Sequence, residues 1–138
     1  MKLMQLKEIV AKVLPQWLVS VDEAQMVNIG AECLDREEGV VYIEEFNTAM
    51  LGNTRFGVKL ETKHEITFCV FSEFQKNAEE REQEREERIM PAVYAVQKEL
   101  MKLQDGIVFT MDKFPRGFDA NEILVHITFT TTDNICLG

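Results

Sequence analysis

The 138-residue chain is poor in the residues that usually announce chemistry. It has only three cysteines, Cys33, Cys69 and Cys136, an odd and widely spaced set. That argues against a disulfide framework and against a zinc pattern, and a reduced cytoplasmic setting is the simplest expectation. Two histidines, His64 and His126, are the full imidazole complement. No G-x-S-x-G, no P-loop and no glycine-rich dinucleotide turn occurs, so the common nucleophile and phosphate-binding arrangements are missing. No apolar run approaches the length needed to span a bilayer. The N-terminal residues interleave charge with apolar side chains, unlike the continuous core of a secretory signal. The expectation is a non-enzymatic protein without cofactor, metal or membrane attachment.

Hydrophobic residues make up 46% and charged ones 28%, which suits one globular domain over 1–138. The net charge is −9. It is concentrated in residues 20–50, where Asp22, Glu23, Glu32, Asp35, Glu37, Glu38, Glu44 and Glu45 face only Arg36. Such a surface repels phosphates, so direct nucleic-acid binding is not expected. Solubility is the plain reading of this charge; a contact with a basic partner is the sharper one.

The richest signal is the alternation from Phe56 to Phe71. Even positions read Phe56, Val58, Leu60, Thr62, His64, Ile66, Phe68, Val70; the odd ones include Lys59, Glu61, Lys63 and Glu65. A period of two is a strand with one apolar and one charged face. At ~3.3 Å per residue such a strand spans ~53 Å. A chain of this length has a radius of gyration of only ~14 Å. The strand must bend, break at a bulge or protrude as an arm, and protruding strands serve assembly.

The remaining elements follow from period and punctuation. Leu3, Leu6, Val10, Val13 and Leu14 predict a helix over 3–14, ended by Pro15. Trp17 to Val21 reads as a short strand, and Val40-Val41-Tyr42-Ile43 opens the next. Gly52-Asn53 suits a hairpin turn pairing roughly 40–50 with 55–65. That register sets Tyr42 near Lys63, Phe46 near Lys59 and Glu45 opposite Leu60 on the apolar face, a misfit that a bulge would relieve. Ile89, Val93, Val96, Leu100 and Leu103 predict a second helix, closed by Asp105-Gly106. It is either one kinked helix from an Asn77 cap or a fresh helix near Pro91. Strands follow at 107–111 and 123–130. The sum is an α+β fold with a mainly antiparallel sheet, an N-terminal helix and a second helix on one face, and an extended hairpin arm.

Between Glu79 and Arg88 the chain has six glutamates, three arginines and no apolar residue. A solvated helix start is the plain reading. The sharper one is a polar helix projecting toward a neighbouring subunit, with Arg81, Arg85, Arg88 and Glu84, together with Lys59 and Lys63 of the long strand, as candidate interface residues. His64 reads most simply as a hydrogen-bonded core residue, and His126 lacks a carboxylate or cysteine at metal spacing. Asp119 and Glu122 read as turn and cap residues.

The element order, with the turn Phe114-Pro115-Arg116-Gly117-Phe118-Asp119-Ala120-Asn121-Glu122 leading into Ile123-Leu124-Val125-His126-Ile127-Thr128-Phe129, resembles the small tail-terminator or tail-completion proteins of tailed bacteriophages. The likeness covers roughly 55–132. It implies a ring-forming, phage- or prophage-encoded structural subunit that associates with itself and with other tail or neck proteins. It would be cytoplasmic during assembly and then part of the virion tail, and there are no catalytic residues to carry over. The alternative is a small ligand-binding domain or enzyme, with a pocket between the sheet and the 91–103 helix lined by Phe68, His64 and Tyr94.

Overall fold

A computed structural model describes residues 1–21, 39–55, 57–72, 77–113 and 122–136. Their order is α1 (Leu3–Val13), β1 (Leu18–Ser20), β2 (Val40–Thr54), β3 (Gly57–Phe71), α2 (Ala78–Glu84), a π-turn (Arg85–Ile89), α3 (Met90–Leu103), β4 (Thr110–Asp112) and β5 (Glu122–Cys136). The strands form one five-stranded sheet ordered β1-β2-β3-β5-β4. Only the β1–β2 pair is parallel; the rest are antiparallel. The fold is α+β with helices packed on one face of a mainly antiparallel sheet. Among the described residues, no helix is long and apolar enough to cross a membrane.

The even positions of β3 do face inward. Ile66, Phe68 and Val70 join Val41 and Ile43 of β2 and Ile123, Val125, Ile127 and Phe129 of β5. The helices lay their stripes over this face through Leu6 and Val10 of α1 and Ile89, Val93, Val96 and Leu100 of the second helical run. Burying these aliphatic and aromatic side chains is the main stabilising term. Trp17 meets the Phe68 ring edge-on at 6.1 Å. On the opposite face Val40, Tyr42, Cys69 and Leu124 form a smaller buried cluster.

Gly39 holds φ at 130°, and a Cβ there would lie 2.4 Å from the Cys69 carbonyl oxygen. Only glycine permits β1, β2 and β3 to meet this closely, and its own carbonyl accepts from the Leu18 N–H at 3.1 Å.

The hairpin differs from expectation in its turn. Pairing runs through Gly52↔Lys59 to Thr54↔Gly57, so the chain reverses past Thr54 rather than at Gly52-Asn53. Tyr42 therefore pairs with Thr67, not Lys63, and Glu45 with His64, not Leu60. Fifteen-residue strands on both sides extend the ladder to its end, and this outweighs the local preference of Gly-Asn for a turn. The anticipated irregularity is present: the register shifts between Glu45 and Ala49. The expected two-stranded arm is corrected as well. β5 pairs with β3 along its whole length, from Phe71↔Glu122 to Gly57↔Cys136, giving a three-stranded ribbon.

The two sequence options for the second helix merge. Asn77 caps α2, its side chain accepting from the Glu80 N–H at 2.9 Å. The helical run then continues to Leu103 through the π-turn just before Pro91. Proline lacks an N–H and crowds the carbonyl four residues back. The π-turn takes up this conflict by passing the Met90 N–H to the Arg85 carbonyl, five residues back.

Candidate assembly surface

Two regions gather the polar groups and exposed margins of the molecule: the junction of α2 with one end of the sheet, and the ribbon at the other end.

At the junction the charged run packs inward. Arg81 donates to the Glu122 carbonyl oxygen at 2.7 Å. Arg88 donates to the Phe71 carbonyl oxygen at 2.9 Å and to Glu84 Oε1 at 2.6 Å. Ser72 Oγ donates to the other Glu84 oxygen at 3.1 Å. Arg85 is only 4% exposed and pairs with Glu82 at 2.6 Å. The expectation that Arg81, Arg85, Arg88 and Glu84 project toward a neighbour is therefore corrected. Arg81, Arg88 and Glu84 clamp the helix to Glu122, Phe71 and Ser72 at the strand ends, and Arg85 is buried against Glu82 of its own helix. The reason is spacing: counting back from Ile89 by four gives Arg85, then Arg81, so these two arginines continue the inward stripe.

Lys113, just after β4, ties down the outer side of the same helix through Glu86 at 2.8 Å and Glu82 at 3.3 Å. The hydrogen bonds that Lys113 donates to Glu86 and then to Glu82 raise its pKa. Desolvation alone would raise the carboxyl pKa of Glu82; the bonds from Lys113 and Arg85 outweigh it and hold the group below its ordinary value.

Halfway along the sheet His64 is fully buried. Its Nε2 lies 2.8 Å from Thr131 Oγ1, and its ring stacks on Phe129 with centroids 5.1 Å apart. Burial, and next the neighbouring amino-terminal ammonium, push its pKa down to about 4, with Asp133 opposing. That ammonium donates to Thr131 Oγ1 at 3.3 Å and ion-pairs with Asp133. Phe68 is likewise fully buried, whereas Tyr94 is 57% exposed. The three residues named for a sheet–helix pocket thus do not line one together. On the other face His126 Nε2 is 2.8 Å from Glu65 Oε1. Sequence spacing hid this carboxylate because it lies diagonally across the β3–β5 ladder.

The ribbon beyond the bulge is built differently. Leu51 pairs with Leu60 and Asn53 with Val58; Leu60 pairs with Asp133 and Val58 with Ile135. These residues continue the face that is core nearer the helices, yet Leu51 is 73% and Ile135 46% exposed. Lys59 pairs with Glu61 at 2.9 Å, and Lys63 is exposed on the middle strand. A shallow cleft of about 490 Å³ follows the outer margin of β5, lined by Thr128, Thr130 and Thr132 against Gln104, Gly106 and Val108.

No family model matches the chain, and no curated protein matches it. Among solved structures it is similar to the nucleotide-free catalytic domain of the histidine kinase ThkA. The identity is 9% over 94% of this chain and 92% of that one, with a TM-score of 0.28. A likeness so slight carries no argument about this chain.

Among the described residues, no group of three or more histidine, cysteine or acidic side chains is placed to hold a metal ion. Asp119, Cys33 and the acidic stretch 22–38 lie outside the described residues. Glu122, read in sequence as a cap, is buried at the junction.

Proposed function

We propose that this chain is a non-enzymatic structural subunit of a phage or prophage tail, of the tail-terminator or tail-completion type. It assembles into a ring and contacts other tail or neck proteins. The observation that carries the reading is the ribbon: among the described residues, three long strands extend beyond the short flanking strands and carry the exposed apolar residues Leu51 and Ile135. Strand edges of this kind are templates for another chain, and a closed assembly is the economical way to cover them. The resemblance in element order points the same way. The histidines fit a structural protein, since His64 serves packing and His126 serves a cross-strand pair. The experiment is deletion of the gene from its phage or prophage, followed by electron microscopy of the particles. Heads and tails that fail to join, or tails without a finished end, are expected, with rescue by the gene in trans. Normal, infectious particles from the deletion would overturn the proposal.

A further inference from the structure

We infer that copies of this chain join edge to edge through the ribbon, the outer margin of β5 in one copy pairing in parallel with the outer margin of β2 in the next. This inference rests on the ring reading above and names the surface and its geometry.

Among the described residues, the strands flanking β2 and β5 are short. β1 covers β2 only at Val40–Tyr42, and β4 covers β5 only at His126–Thr128. Along 49–54 of β2 and 130–136 of β5 no described strand lies beside the outer edge, and Gln104 engages the β5 edge at Thr132. The orientation of the β5 edge is marked by Thr132, whose N–H donates outward to Gln104 Oε1 at 3.0 Å. The β3–β5 register is unbroken, so the backbone groups of Thr130 and Asn134 point outward too.

Proteins protect such edges with lysine, proline or bulges. Here the bulge in β2 ends at Ala49, and pairing from Ala49 to Thr54 is regular. Residues 49–54 carry no charge and no proline. From 130 to 136 in β5 the one charge is Asp133, already engaged by the amino terminus. Within the ribbon the charges Lys59, Glu61 and Lys63 are kept to the middle strand. With a net charge of −9, two copies repel over most of their surface. The uncharged margins are where they can approach, and charge fits them to each other better than to a basic or acidic partner.

Strand direction decides the symmetry. β2 and β5 are both antiparallel to β3, so they run parallel to each other. Repeating the subunit head to tail places β5 of one copy beside β2 of the next, in parallel, and uses both edges of each subunit. A two-fold dimer would pair one edge with itself, antiparallel, and leave the other edge open. Leu51 and Ile135 sit at opposite margins on the same face, so head-to-tail pairing brings them together and removes both from water.

The test uses the full chain with Cys33 and Cys136 replaced by serine. Asn53→Cys and Ile135→Cys, on the same face at the two margins, are made singly and together. Under oxidation the double variant should give a ladder of cross-linked oligomers and a mixture of the singles should give dimers only, while neither single variant alone should cross-link. Asn134→Pro removes an outward N–H, a change that edge strands tolerate. It should raise the concentration needed for assembly in sedimentation at least tenfold, with circular dichroism and unfolding midpoint unchanged. Self-cross-linking of one single variant, assembly unaffected by Asn134→Pro, or a wild type that stays monomeric at all concentrations would overturn the edge inference. The gene-deletion phenotype reports on the tail reading separately. A deletion defect with an unaffected Asn134→Pro assembly would sink the edge geometry alone.

Discussion

Acidification should destabilise this protein through His64, in a window set by its burial. In the folded chain the imidazole is held neutral, with a pKa of about 4 against an ordinary 6.5. The unfolded chain regains the ordinary value and binds the proton first. Between those two values unfolding takes up a proton, so stability falls as the pH falls. The contribution is fully present above about pH 6.5 and is lost as pH drops toward 4. A displacement of ~2.5 pK units at 1.36 kcal/mol each makes ~3 kcal/mol. The side chain has no exposed surface, so solvent does not screen it. Urea unfolding of wild type and His64→Phe, followed by circular dichroism from pH 7 to 4.5, isolates the effect. Carboxylates titrate in both proteins and cancel in the difference. The wild type should lose ~2–3 kcal/mol more than the variant across that range. Parallel curves, within ~0.5 kcal/mol at every pH, would refute the reasoning. Should the variant not fold, the His64 ring resonances decide: they should stay neutral at pH 5.5, and a midpoint near 6.5 would be fatal to the argument.

Three further outcomes are expected. Phe68→Ala should cost ~3–5 kcal/mol in denaturant unfolding, because the ring is fully buried between Trp17 and the sheet core; a loss within ~0.5 kcal/mol would turn β3 inside out. Gly39→Ala should cost ~1–3 kcal/mol from the positive φ alone, with the Cys69 carbonyl contact adding to it, and an unchanged midpoint would contradict the close approach. Arg85→Glu should cost ~3–5 kcal/mol by placing an unpaired charge in a buried position, whereas Arg85→Met should come within ~1 kcal/mol of wild type; equal losses would mean that packing, not charge, governs the site.

The core was legible in the sequence because its signals are periodic. Alternation in 56–71 and 123–130 and the four-three spacing from Ile89 to Leu100 each identified the buried face. Punctuation was less reliable. Gly52-Asn53 looks like a turn, but register along two long strands decides where a hairpin reverses, and that depends on all the pairs together. The charged helix misled for another reason. Arg81, Arg85 and Arg88 are polar by type yet inward by position; Arg81 and Arg88 find carbonyl oxygens at strand ends that no local pattern announces. The same blindness to cross-strand neighbours concealed Glu65 beside His126 and Thr131 beside His64. In each case the partner is set by sheet register rather than by distance along the chain.

The π-turn at Arg85–Ile89 makes the helical run tolerant of length at one place and intolerant elsewhere. It works as one surplus residue accommodated in an otherwise α-helical run. Deleting one residue inside the turn would let the run wind as regular α-helix with its two flanks still in phase. Deleting one residue on either side of the turn would rotate the flanks by ~100° relative to each other. The arginine clamp and the apolar stripe of α3 could then not both face the sheet. Substitutions at the exposed Glu79, Glu80 and Glu87 should pass unnoticed, while a one-residue deletion in α2 or in α3 should be selected against as strongly as the loss of a core side chain. An evolving lineage can change the count at the turn itself, provided it keeps the clamping arginines and the spacing on each side.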